Sequence, residues 1–143
     1  MAKTFPYAEA ERLAGEIFGI ILDRDADPGG YRYVLHCLES GEKSVKQLVV
    51  EFICSDEFLE RFVSNRPPAH TARMLTRLML GRDFENEAES AESTRKFLLQ
   101  GIKKFVQELA ASREYMKEVG SNRLPPLGHQ LRPDWLPLDA VEE

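Results

Sequence analysis

The sequence predicts an all-α single domain of about six or seven helices, built from two pseudo-repeats and followed by an irregular Pro-rich C-terminal tail. Three observations carry this reading. Apolar residues recur at spacings of three and four along most of the chain, the signature of helices with one buried face. The strand-favouring run Leu48-Val49-Val50 sits inside such a helical pattern. Matched segments also return at an offset of 57 or 58 residues, as expected of a duplicated helical unit. With 143 residues, 43% hydrophobic and 30% charged, the chain is long enough and apolar enough to bury a core. No apolar run approaches the roughly 18 residues of a spanning helix. The opening "MAKTFPYAEAER" lacks the apolar segment of a secretory signal, so a cytoplasmic location is expected.

The first helix is read from "AERLAGEIFGIIL", where Leu13, Ile17, Ile20 and Ile21 form one stripe, and it ends near Leu22. The next stretch, "LDRDADPGGY", sets three carboxylates at alternate positions, which raises the question of a calcium loop. Counted from Asp23, position 6 is Pro28 and position 12 is Val34, so the loop glycine and the bidentate glutamate of an EF-hand are missing. The alternative is helix punctuation. Asp23, with Gly81 in the second unit, takes a position that tolerates left-handed backbone. Asp27 caps the following helix, and Pro28 stands at its first position, where no N–H is needed.

The second helix, "YRYVLHCLESG", repeats the stripe with Tyr31, Val34, Leu35 and Leu38 and stops at Gly41. Ser44 and Gln47 form a capping-box pair ahead of Val45, Leu48, Val49, Phe52 and Ile53. Ser55 then opens "SDEFLERF", with Asp56 and Glu57 at its positive end. Pro67-Pro68 and Pro125-Pro126 punctuate the remainder of the chain. Between them Leu80-Gly81-Arg82-Asp83 answers Leu22-Asp23-Arg24-Asp25, and "ELAASREYMKEV" answers "EFICSDEFLERF", matching Glu51/Glu108, Ser55/Ser112, Glu57/Glu114 and Phe58/Tyr115. Val45, Leu48 and Val49 align likewise with Ile102, Phe105 and Val106. The organisation expected is a helical domain over 1–124, with pseudo-repeats at about 8–65 and 66–122, and a tail over 125–143. The expected core comprises Leu13, Ile17, Ile21, Leu35, Leu38, Leu48, Phe52, Phe58, Leu75, Leu78, Phe105, Val106, Leu109 and Tyr115.

Charge and reactive residues narrow the function. Residues 1–65 hold 7 Lys and Arg against 12 Asp and Glu, while residues 66–143 hold 12 against 12, giving the net −5. This is no nucleic-acid footprint. Cys37 and Cys54 lie 17 apart without a second ligand pair, and read as two buried free thiols rather than a zinc site. His36, His70 and His129 are scattered, and Gly29-Gly30 has neither the preceding strand nor the lysine of a phosphate loop. The acidic run Glu85, Glu87, Glu89 and Glu92 reads as a solvated loop and helix start. No cofactor, metal or catalytic set is expected, and the chain is not read as an enzyme.

Arg24 and Arg82 recur at matched places just after a helix end. A guanidinium there can bond several free carbonyls and fix the angle to the next segment, or it can face a partner. The tail carries Leu127, Leu131, Trp135, Leu136 and Leu138 among prolines. It either wraps its own domain or offers anchors to another protein. The candidate partner-binding residues are therefore Arg24, Arg82, Leu131, Trp135, Leu136 and Leu138, and the tail is expected to serve binding rather than folding.

The order "ESGEKSVKQLVVEFICSDEFLERF", then "RLMLGRD", then "FVQELAASREYMKEVGSNRLP" resembles the phycobilisome linker domain of cyanobacteria and red algae, over about residues 8–126. The best-matched pieces are Leu80-Gly81-Arg82 and Ser112 to Gly120, with Leu124-Pro125 following. The first unit, with "RDADPGGY", is similar to a related bacterial helical domain of unknown function written GRxxDxxG. The resemblance implies a non-catalytic scaffold that organises phycobiliproteins in a light-harvesting phycobilisome. It implies partners that are proteins, neither nucleic acid nor inserted membrane, at a site peripheral to the thylakoid membrane. The alternative is a linker-like protein-interaction or small-ligand-binding domain unrelated to light harvesting, using His36 or the Cys37/Cys54 pair in a central pocket.

Overall fold

A computed structural model describes residues 2–125 and shows eight helices and no strand among them. The all-α class stands, with one helix more than the upper expectation. The helices are α1 (Tyr7–Ile17), α2 (Pro28–Ser40), α3 (Val45–Ile53), α4 (Asp56–Phe58), α5 (Pro68–Leu80), α6 (Glu87–Gln100), α7 (Ile102–Ala111) and α8 (Arg113–Glu118). α1 runs on into a π-helical turn over Phe18–Leu22, and α4 into another over Leu59–Val63. The residues 126–143, and with them Leu131, Trp135, Leu136 and Leu138, lie outside the described residues.

Local chemistry sets the breaks. The π turn after α1 closes at Asp23, whose backbone is left-handed (φ 56°) and whose N–H donates to the Phe18 carbonyl. Asp27 accepts from the Gly30 N–H at 2.9 Å and Pro28 takes the first helical position, so the alternate carboxylates end one helix and start the next. In α3 both halves of the capping box form: Gln47 N–H donates to Ser44 Oγ (3.1 Å) and Ser44 N–H to Gln47 Oε1 (2.8 Å). Ser55 and Ser112 make identical hinges. Each hydroxyl donates to the carbonyl three residues back (2.7 Å in both) and accepts the N–H three residues on, 3.2 and 3.1 Å away. The second hinge, at Ser112, is what separates α7 from α8.

α1 packs on α2 and α5 on α6, while α3 lies against α7 and joins the two sides of the molecule. The α1–α2 approach is close. A Cβ on Gly30 would stand 2.7 Å from Phe18 Cζ, so a side chain there would displace the ring. That ring meets Phe52 edge-on, with centroids 5.0 Å apart. One continuous core results, including Leu13, Ile17, Ile21, Leu38, Leu48, Phe52, Phe58, Leu75, Leu78, Phe105, Val106 and Tyr115. Leu35 and Leu109, expected in it, are only partly buried on its margin. Ahead of α1, Phe5 is buried and its N–H donates to the Leu38 carbonyl at 3.0 Å, tying the N-terminal segment to the end of α2.

Candidate functional site

Two arginines expected to act at helix ends instead span the chain. Arg24 donates from Nε and Nη2 to both oxygens of Glu57, at 2.6 and 2.9 Å. Arg82 does the same to Glu114, at 2.6 and 2.9 Å. Each also donates Nη1 to one local carbonyl, of Asp25 (2.8 Å) or Asp83 (2.9 Å). The expectation of several carbonyls per guanidinium is thus corrected. Only one is used, because a planar fork matches a carboxylate better than diverging peptide oxygens.

The surroundings of the two forks differ. Arg24 reaches Asp27 at 3.2 Å and lies over the Phe18 ring, 5.2 Å from its centroid. Arg82 makes a second bidentate contact, to Glu89, at 3.1 and 2.9 Å. Glu89 stands three residues after the Asn86 cap, and its carboxylate also accepts the Glu85 N–H at 2.7 Å. The acidic run read as a solvated loop therefore holds one part-buried partner of Arg82, Glu89. The Asn86 side chain in turn accepts the Glu89 N–H at 2.8 Å, which places Glu89 in the first turn of α6.

These carboxylates stay ionised. Hydrogen bonds from Arg24 hold Glu57 below its ordinary range, and those from Arg82 do so for Glu89 and Glu114. Asp83 is likewise lowered by its bond to Arg73. Such groups have no proton to give near neutrality, and their paired cations are raised further above theirs. The geometry orients segments; it does not prepare an acid or base.

The residues of the alternative reading differ in exposure. Cys37 is buried, while Cys54, expected to be so, is only half-buried, and desolvation raises both thiols. His36 is exposed and lies 3.2 Å from Glu42. Among the described residues no three His, Cys, Asp or Glu side chains converge on a point where a metal would sit.

Two surfaces stand out among the described residues. Leu98 and Leu99 stand 62% and 71% exposed side by side at the end of α6, a helix with no fully buried residue. An open groove of about 680 Å³ runs between α3 and α7, lined by Val50, Cys54, Ala110 and Ala111 and flanked by Lys46 and Lys103. No described helix is long and apolar enough to cross a membrane.

A sequence model described as phycobilisome linker polypeptide matches residues 31–127. The chain is also similar to the phycobiliprotein ApcE of Microchaete diplosiphon, at 29% identity over 122 residues, covering 82% of this chain and 11% of that protein. ApcE of Cyanidium caldarium is 23% identical over 109 residues, covering 73% of this chain and 12% of its own length. The chain thus spans about one ninth of the length of these curated relatives.

Proposed function

The chain belongs to the phycobilisome linker polypeptide family, and from that premise we propose that it is a non-catalytic linker module that binds and organises phycobiliproteins at the thylakoid surface. The match over residues 31–127, most of the described helices, is the observation that carries this reading. The arginine–carboxylate forks support it: they are spent on holding helices in place. The adjacent exposed leucines of α6 offer an apolar contact of the kind partners cover.

Arg24 and Arg82 serve binding by fixing the angles between helices, each remaining about a third exposed. The tail, 125–143, supplies further contacts through Leu131, Trp135, Leu136 and Leu138. The test is capture by the tagged full chain from an extract containing phycobilisomes. Phycobiliproteins recovered in fixed proportion to the bait are the expected result. Recovery of none, together with a small molecule that raises the melting temperature by several degrees, would instead favour the ligand-binding alternative.

A further inference from the structure

The groove between α3 and α7 has a floor and a charge that suit one segment of this chain. Lys46 and Lys103 flank it 57 residues apart in sequence, at matched positions of the two helices. Among the described residues neither ammonium has a carboxylate partner; Lys46 Nζ lies 3.3 Å from Met116 Sδ. The acidic side chain in the lining, Glu51, is engaged by Lys43 at 2.8 Å and by the Tyr33 hydroxyl. An apolar floor is thus edged by two uncompensated positive charges on a chain whose net charge is −5.

The described backbone leads to one end of this groove. Ser121 accepts the Lys46 N–H at 3.0 Å, and Ser121 and Asn122 share a surface hollow with Gln47, which also lines the groove. Four residues beyond Ser121, Pro125 is buried and the described chain ends. The remaining residues, 126–143, hold Arg132 against Asp134, Asp139, Glu142 and Glu143, a net −3, with Leu127, Leu131, Trp135, Leu136 and Leu138 between. At about 3.3–3.6 Å per residue these residues reach up to about 60 Å. A helix the length of α3 offers a groove of only about 14 Å.

We propose that residues 126–143 dock in cis in the α3–α7 groove of the free chain, with the apolar anchors around Trp135 on its floor and the acidic residues beside Lys46 and Lys103. The same anchors then become available to a partner when they leave the groove. Docking in the free chain does not depend on what that partner is.

Trp135 is the single tryptophan of the chain, so its fluorescence in the purified full-length protein reads the proposal directly. In the wild type, emission should be blue-shifted and acrylamide quenching several-fold weaker than for a free peptide of residues 126–143. In the Lys46→Glu/Lys103→Glu double variant, both should move toward the peptide values while circular dichroism stays unchanged. A wild-type Trp135 quenched like the peptide overturns the proposal, as does shielding that the double reversal leaves intact. Shielding that disappears on dilution would mean that a second copy supplies the segment, and would also overturn docking in cis. A second readout avoids the charge reversal. With Cys37 only 1% exposed, thiol labelling of the native chain reports Cys54, and Trp135→Ala should speed it several-fold; an unchanged rate contradicts the proposal.

Discussion

Arg24 and Arg82 grip Glu57 and Glu114 through the same atoms at the same distances, yet the helices that come after them are held by different forces. After Arg24, α2 is anchored by burial: Val34, Cys37 and Leu38 enter the core, and Gly30 lets the helix close onto Phe18. After Arg82, α6 buries no residue fully and has Phe97 as a partly buried contact, edge-on to Phe105 at 5.6 Å. There the arginine grips Glu89 of α6 with two bonds, at 3.1 and 2.9 Å, where Arg24 reaches the Asp27 cap of α2 with one, at 3.2 Å. An ionic tie stands where its counterpart has apolar packing. α6 is therefore free to keep Leu98 and Leu99 on the outside.

The largest effect should come where the two sides are both filled. Phe58 and Tyr115 are each fully buried, and Phe58→Ala or Tyr115→Ala should cost about 3–5 kcal/mol. That is a fall of roughly ten degrees or more in melting temperature. A loss confined to one of them would show that the two positions do not share a role.

The arginines should separate next. Without Arg24, Glu57 keeps Arg61 at 3.3 Å and the carboxylate left without its cation is Asp27, 53% exposed; without Arg82, both Glu89 and Glu114, 29% and 38% exposed, lose theirs among the described residues. Arg82→Met should cost about 2 kcal/mol and Arg24→Met about 1 kcal/mol in urea unfolding, modest values because water reaches about a third of each site. Equal costs would break the distinction drawn between the two forks.

Acid titration sharpens it further. Glu57, Glu89 and Glu114 have native values below their ordinary 4.5, so near that pH the unfolded chain binds more protons than the native one. Stability therefore rises with pH there. Thermal unfolding should be flat above the ordinary carboxylate range and weaken as pH falls from 4.5 through the lower native values. The acid limb should be shallower in Arg82→Met than in Arg24→Met.

The smallest effect is a gain. The Tyr115 hydroxyl is buried without a hydrogen bond among the described residues, and burial pushes its pKa up to about 12. The matched position holds Phe58, which has no such group to satisfy. Tyr115→Phe should stabilise by about 1 kcal/mol, and Phe58→Tyr should destabilise. Differential scanning calorimetry on the pair decides it.

Helix ends were legible because they are local: Asp23, Asp27, Gly41, Ser44 with Gln47, and Ser55 each act within five residues of themselves. The arginine forks were not, because Arg24 and Glu57 are 33 residues apart and Arg82 and Glu114 are 32. A trace was present all the same, since arginine and glutamate recur together at nearly one offset, 58 residues for Arg24 and Arg82 and 57 for Glu57 and Glu114. Leu35 and Leu109 fitted the apolar stripes yet sit at the core margin, where periodicity gives the face of a helix but not the depth of its neighbour. Cys54 was misplaced for the same reason: it ends the buried face of α3 at the open groove.

The central claim, a linker that binds phycobiliproteins through a preset helical surface, is tested most directly by sedimentation velocity of the purified full chain with purified phycobiliprotein. The account predicts a larger complex of fixed stoichiometry that forms with the wild type and is weakened more by Arg82→Met than by Arg24→Met. Independent sedimentation of the two proteins at every concentration tried, with the chain fully folded, would contradict it.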